Sequence, residues 1–167
     1  MADYKVRNCK ELGVNMQKIV TRLMANDNLV KLLYYYQTDD PLSEPALTDE
    51  QKKTLIFNKL IKLTPRLDPT GIDQSMISVM ARTARSLGSN DQFRDIVISV
   101  EVFVPISQWM IKDTNLRPYA IMGEIQESLS GKTVNGLGKI RGGDFDYNYG
   151  TDEITGFAMD FYITEYD

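Results

Sequence analysis

Few residues of this chain are of a kind that does chemistry. It holds no histidine and a single cysteine, Cys9. Without histidine, neither Ser-His-Asp nor Cys-His arrangements nor the usual zinc ligand sets can be built. Cys9 stands beside Lys10 at the start of a helical pattern, with nothing else to activate it, and reads as a structural thiol. Gly136-Leu137-Gly138 followed by Arg141-Gly142-Gly143 superficially suggests a phosphate cradle. A dinucleotide fingerprint needs a third glycine where Arg141 stands, and a P-loop needs Gly-Lys-Ser/Thr before a helix, so these read as hairpin glycines. Asp144-Phe145-Asp146-Tyr147-Asn148 puts oxygen ligands at every second residue, like the opening of a calcium loop. The pattern then fails: Tyr149 stands where the turn glycine belongs, and Thr155 where the bidentate glutamate belongs. The alternation of Phe145, Tyr147 and Tyr149 instead suits a strand or extended loop with an acidic, exposed side. Asp144 and Asp146 are also the pair a small metal-dependent hydrolase would use, although no spacing singles out an acid and a base. Arg82 and Arg85 could bind an acid near the end of a strand. The expectation is a chain with no catalytic residue, no cofactor and no metal.

The bulk properties point the same way. A chain of 167 residues fits one domain and can bury a real core. Its 43% hydrophobic and 25% charged residues argue against disorder. The longest apolar runs, Leu29–Tyr36 and Phe103–Ile106, are broken by Lys31 and Pro105 and fall far short of the ~20 residues of a membrane helix. No membrane association is therefore expected. The first residues lack the apolar stretch of a secretory signal, and the lone cysteine suits a reducing compartment. The net charge of −4 is the wrong sign for gripping phosphate backbones over a broad surface. The charge is also uneven: after Arg141 no base follows, whereas Asp144, Asp146, Asp152, Glu153, Asp160, Glu165 and Asp167 do. Such a region is a solvated face, or more sharply a wall that repels DNA or a patch that docks on a basic partner.

The elements that must position these residues fall into two regions of one domain, residues 1–70 and 71–167. In the first, Leu12, Met16, Ile19 and Leu23 form one helical stripe. Asn26 or Asp27 ends that helix and caps a second, Asn28 to about Tyr36. Thr48-Asp49-Glu50-Gln51 spells a capping box for a third helix, Asp49–Asn58. Thr64–Gly71 is rich in breakers and reads as a connector. The period then changes to two. Ile77, Val79 and Ala81 mark a strand, Ser86–Gln92 a loop, and Ile96, Ile98, Val100, Val102 and Val104 a long strand ended by Pro105. Leu116–Leu129 returns to helical spacing, with Pro118 in its first turn and Gly131 behind it. Leu137–Arg141 is a further strand, and Phe157, Met159, Phe161 and Ile163 mark a last one, expected at a sheet edge. The predicted class is α+β: an N-terminal helical region, then a small, mostly antiparallel sheet (β-β-α-β-β) with one packed helix. Its predicted core is Ile98, Val100, Val102, Phe157, Met159 and Phe161 against Ile121 and Ile125.

Residues of the interface type are easier to find than reactive ones. Tyr34-Tyr35-Tyr36 rings one helix end and cannot be buried on a single face, and Trp109 with Met110 follows the Pro105 break. The second half, with its strand Asp95–Val104, its helix Leu116–Leu129 backed by Gly131 and Lys132, and its closing strand Gly156–Thr164, resembles the tail terminator (tail completion) proteins of tailed bacteriophages. The resemblance covers residues 72–167 in element order and texture. It implies a small antiparallel sheet with a packed helix, no catalytic residue, and a structural subunit of a homo-oligomeric ring, a hexamer, at the head–tail junction of the virion. Its partners would be other copies of the chain, the tail tube protein and the neck or connector protein. DNA would pass through without specific binding. On this reading Tyr34, Tyr35, Tyr36, Trp109 and Met110 are candidate subunit contacts, and Asp144, Asp146, Asp152 and Glu153 a lumen or axial face. Another neck, collar or stopper ring protein is an alternative. The small hydrolase and a monomeric peptide-binding module using the final strand are alternatives of other classes.

Overall fold

The computed structural model describes residues 9–57, 60–64, 71–87, 90–113, 115–134 and 137–164. Three helices come first. Helix α1 (Cys9–Met24) buries Met16, Ile19 and Leu23 of the stripe read from its spacing, packs Leu12 partly buried against the core, and buries Val20 as well. Helix α2 (Asp27–Tyr34) is capped by Asn26, whose Oδ1 accepts from the Leu29 amide at 3.0 Å. The same Asn26 donates through Nδ2 to the Glu124 and Ser128 side chains, so one residue both caps α2 and ties it to the later helix. Helix α3 (Asp49–Phe57) opens on the expected capping box: the Gln51 amide donates to Thr48 Oγ1 at 3.2 Å and the Thr48 amide to Gln51 Oε1 at 2.9 Å.

The sheet follows. Strand β1 (Ile61–Lys62) is a short parallel edge, and β2 (Met76–Leu87) and β3 (Asn90–Pro105) form a long antiparallel hairpin. A separate ribbon of β4 (Met110–Ile111) and β5 (Asn115–Leu116) leads into helix α4 (Arg117–Leu129). Strands β6 (Thr133–Val134), β7 (Gly138–Gly150) and β8 (Ile154–Thr164) complete a six-stranded sheet in the order β1-β2-β3-β8-β7-β6. The α+β architecture with its mostly antiparallel sheet is as predicted. Register places Ile77, Val79 and Ala81 beside Val102, Val100 and Ile98, and these beside Phe157, Met159 and Phe161. That face is buried in one continuous cluster with Ile121, Ile125 and the apolar stripes of α1 and α2. The eight predicted core residues are all in it.

Four expectations are corrected. Ser86–Gln92 is not a broad loop: β2 runs to Leu87 and β3 starts at Asn90, because pairing across the hairpin satisfies backbone groups that a loop would leave to water. The last strand is not an edge but lies between β3 and β7, paired along its length on both sides. The short strand predicted at Leu137–Arg141 extends to Gly150. Gly138 stands at the β6–β7 hairpin as expected, but Gly142 and Gly143 mark a bulge: they have φ of 90° and 102°, and the register with β8 shifts between Gly142 and Asp144. Gln126 of α4 and Ser130 at its C-cap donate to the Gly143 and Gly142 carbonyls at 3.1 and 2.9 Å, which anchors the bulge to the helix.

Arg117, the first residue of α4, is buried at 1% exposure, and its partners among the described residues are main-chain carbonyls. Its Nε donates to Gln108 O at 2.9 Å, its Nη1 to Leu32 O at 2.8 Å and Tyr35 O at 3.5 Å, and its Nη2 to Thr38 O at 2.5 Å. Burial lowers its pKa to about 10, which leaves it charged at neutral pH. The cation therefore sits at the carbonyl end of α2, where the helix dipole favours it.

Two stability measurements check this core. Ile125→Ala, at a position with no exposure, should cost ~2–5 kcal/mol in urea unfolding. Arg117→Leu strands several buried carbonyls and should cost about 3 kcal/mol or more, with Arg117→Lys restoring less than half, because an ammonium cannot span the same fork of acceptors.

Candidate functional site

The β7 bulge decides what the sheet presents on its helix side. Before it, Ile140 and Gly142 lie opposite Ile163 and Phe161; after it, Phe145 and Tyr147 lie opposite Met159 and Phe157. The aromatic rings are thereby brought to the helix face, and Asp144 and Asp146 to the other, opposite Asp160 and Ala158.

An aromatic cluster results. Phe157, 5% exposed, is its floor. Around it stand Tyr119 from the first turn of α4 (ring centroids 5.7 Å apart), Phe145 (6.2 Å) and Tyr147 (5.9 Å). Trp109 backs Tyr119 edge-to-face at 6.3 Å and donates from Nε1 to Thr155 Oγ1 at 2.9 Å. The floor and back wall are built in, but the outer rings are not covered: Tyr119 is 45%, Phe145 50% and Tyr147 64% exposed. Three large rings left half in water around a buried fourth form an apolar patch of the kind that marks a contact surface.

The residues singled out in sequence distribute unevenly around it. Trp109 supports the patch from behind, and the neighbouring Met110 is exposed at 65%. Tyr34, Tyr35 and Tyr36 are elsewhere and half-buried. Tyr34 and Tyr35 pack edge-to-face at 5.0 Å, and their hydroxyls are used within the chain: Tyr34 accepts from Gln51 Nε2 and Tyr35 donates to Pro45 O. The second element required by three adjacent rings is thus supplied largely by this chain itself, and what remains is a shallow depression of about 410 Å³. Asp144, Asp146, Asp152 and Glu153 are all exposed, the first two on β7 and the others in the turn before β8. Glu165 and Asp167 lie outside the described residues, as do the side chains of Cys9 and Arg85. Arg82 pairs with Asp160 at 2.8 Å.

Tyr119, Phe145 and Tyr147 were not singled out as contacts from the sequence. The usable signal was the alternation at 145, 147 and 149, which identified a strand; that its aromatic side stays uncovered depends on how far α4 reaches along β7. Asp144, Asp146 and Asn148 are strung along an extended strand rather than wound about a point. Among the described residues no group of three or more Asp, Glu, Cys or His is placed to hold a metal ion. Calcium at millimolar concentration should accordingly leave the melting temperature unchanged within about 1 °C, since a ligand that does not bind cannot shift the unfolding equilibrium; a rise of several degrees, lost in Asp146→Asn, would contradict this.

No helix among the described residues is long and apolar enough to cross a membrane. No curated protein matches the chain. The YomW family profile matches residues 26–163, from the Asn26 cap of α2 to the penultimate described residue of β8, and so spans the patch, its supports and the whole long-stranded sheet. On a match of that extent, the chain belongs to the YomW family, a phage-type family.

Proposed function

We infer that this chain is a non-catalytic structural subunit of a closed homo-oligomeric ring at a phage head–tail junction, capping the tail tube and joining it to the neck. The observation that carries this reading is the half-exposed aromatic patch of Tyr119, Phe145 and Tyr147. A contact surface is the most developed feature of the molecule, and membership of a phage-type family gives it a setting. A ring needs two different complementary surfaces per subunit and no pocket chemistry. The order of elements in the second half agrees with the terminator proteins it resembles.

In this reading the partners are further copies of the chain, six to a ring, with the tail tube protein on one axial side and the neck or connector protein on the other. The exposed acids Asp144, Asp146, Asp152 and Glu153 would face the lumen or an axial partner, where a negative wall lets DNA pass without adhering. A stopper or collar ring would use the same surfaces and differ in its axial neighbours.

Imaging of the assembled particle tests the proposal. The expected result is a ring of this chain at the junction; an isolated monomer or a two-fold dimer there would overturn it. A ring whose acidic strand faces outward would keep the assembly role and remove the lumen. A second check is Tyr147→Ala, which should weaken subunit association by at least ~2 kcal/mol, the size of an interface hot spot, with the fold intact by circular dichroism.

A further inference from the structure

Two stretches of sheet edge have no strand beside them among the described residues. On β2, strand β1 covers only Ile77 and Ser78. On β7, β6 and the Gly131–Lys132 backbone cover Gly138 to Ile140, and the Ser130 and Gln126 side chains hold the Gly142 and Gly143 carbonyls. Among the described residues, Asp144–Gly150 on one side of the sheet and Val79–Leu87 on the other have no paired strand. Open edges are templates for strand addition.

We propose that the open edge of β7 pairs with the open edge of β2 of a second copy, making the subunit joint a continuous sheet. This rests on the ring reading above and specifies its interface.

Three features support the joint. The first is direction. β2, β3, β8 and β7 are successively antiparallel, so β7 runs opposite to β2. Two copies set side by side in the same orientation therefore meet antiparallel, as at every other long pairing in the sheet. The second is charge. Asp144–Gly150 contains two aspartates and no base; Val79–Leu87 contains Arg82 and Arg85 and no acid. A two-fold pairing of β7 with β7 would instead set aspartates against aspartates, which is destabilising. The third is side-chain size. Phe145 and Tyr147 share the helix face with Ala81, whereas Asp144 and Asp146 share the opposite face with Asp160, the partner of Arg82. Large rings would thus lie over a small residue on one face while carboxylates meet a guanidinium on the other.

The register also fits. Through Phe157 and Val102, Tyr147 is level with Ile77, which β1 already covers. Sliding the neighbour by about four residues moves β7 past β1 and keeps β6 beyond the end of β2. That is roughly 14 Å over about 19 Å of four strand spacings, a tilt of about 35°, within the range at which sheets close on themselves. A joint that is heterologous and tilted generates a ring when its rotation closes.

Cross-linking tests this. In a Cys9→Ser background, Asp146→Cys and Arg82→Cys copies are prepared separately and treated with a short bismaleimide. Covalent dimers should form only when the two are mixed, and a chain carrying both changes should form ladders. Dimers from Asp146→Cys alone would overturn the joint in favour of a two-fold contact. Association in sedimentation without any mixed cross-link would overturn the joint and leave the ring standing. A chain that stays monomeric at about 1 mM, where even a millimolar contact would show, overturns the joint and leaves the ring to be decided by particle imaging. A charge exchange guards against misfolding. Asp144→Arg with Asp146→Arg, and Arg82→Asp with Arg85→Asp, should each weaken association at least about tenfold, and mixing the two should restore it. Two losses with no recovery on mixing would also overturn the joint.

Discussion

The fold turns on one buried cation. Arg117 begins α4, and its guanidinium reaches carbonyls of α2 (Leu32), of its C-cap and the loop after it (Tyr35, Thr38) and of the turn before β4 (Gln108). These are groups that a helix end and two loops would otherwise have to show to water. By taking all of them, one side chain lets the helical first half sit directly on the segment that connects β3 to α4. The cost is a charge removed from water whose partners among the described residues are carbonyls rather than a carboxylate. It is offset by hydrogen bonds with charged-donor strength and by the negative end of the α2 dipole. Asn26 does the corresponding work at the other end of α2, so that helix is tied to α4 at both ends.

That attachment places α4, and α4 in turn determines what the sheet leaves uncovered. The helix lies over the central strands, where Ile121 and Ile125 meet the inward faces of β3 and β8. Gln126 and the C-cap residue Ser130 reach β7 at the bulge, and in the first turn Tyr119 packs against Phe157 of β8. Beyond the bulge β7 continues with aromatic rings on the helix face that stay half exposed among the described residues. The surface assigned to assembly is thus the part of the sheet that its own helix does not reach. An exposed aromatic edge would invite unselective pairing were it not alternated with aspartates, which favour a basic partner strand and repel a copy of themselves.

The missing histidine and the lack of any complete motif are the grounds on which the sequence leads one to expect a structural role, and the acidic balance argues against broad nucleic-acid binding. For the candidate contacts the sequence supplies only residue type. Tyr34 and Tyr35 satisfy their hydroxyls on neighbouring elements of the same chain, and Trp109 donates to Thr155. Residue type identifies an amphipathic ring; whether another part of the chain already covers it is a matter of distances that no local pattern contains.

What the sequence by itself determined is local and periodic. The α1 stripe, the Asn26 cap, the Thr48–Gln51 capping box, the alternation of β3 and β8 and the Pro118 start of α4 each follow from side-chain spacing and backbone chemistry within a few residues. They suffice for the α+β class and for the core. The tertiary structure decided the rest. That β8 is central, that Arg117 is buried on carbonyls, and that Phe145 and Tyr147 rather than Asp144 and Asp146 share a face with Phe157 all depend on which strands become neighbours. In a strand of period two, one inserted residue exchanges the faces, and the Gly142–Gly143 bulge is that residue. Its position against α4, more than a hundred residues from the chain's start, is visible only once the helix and the sheet have met.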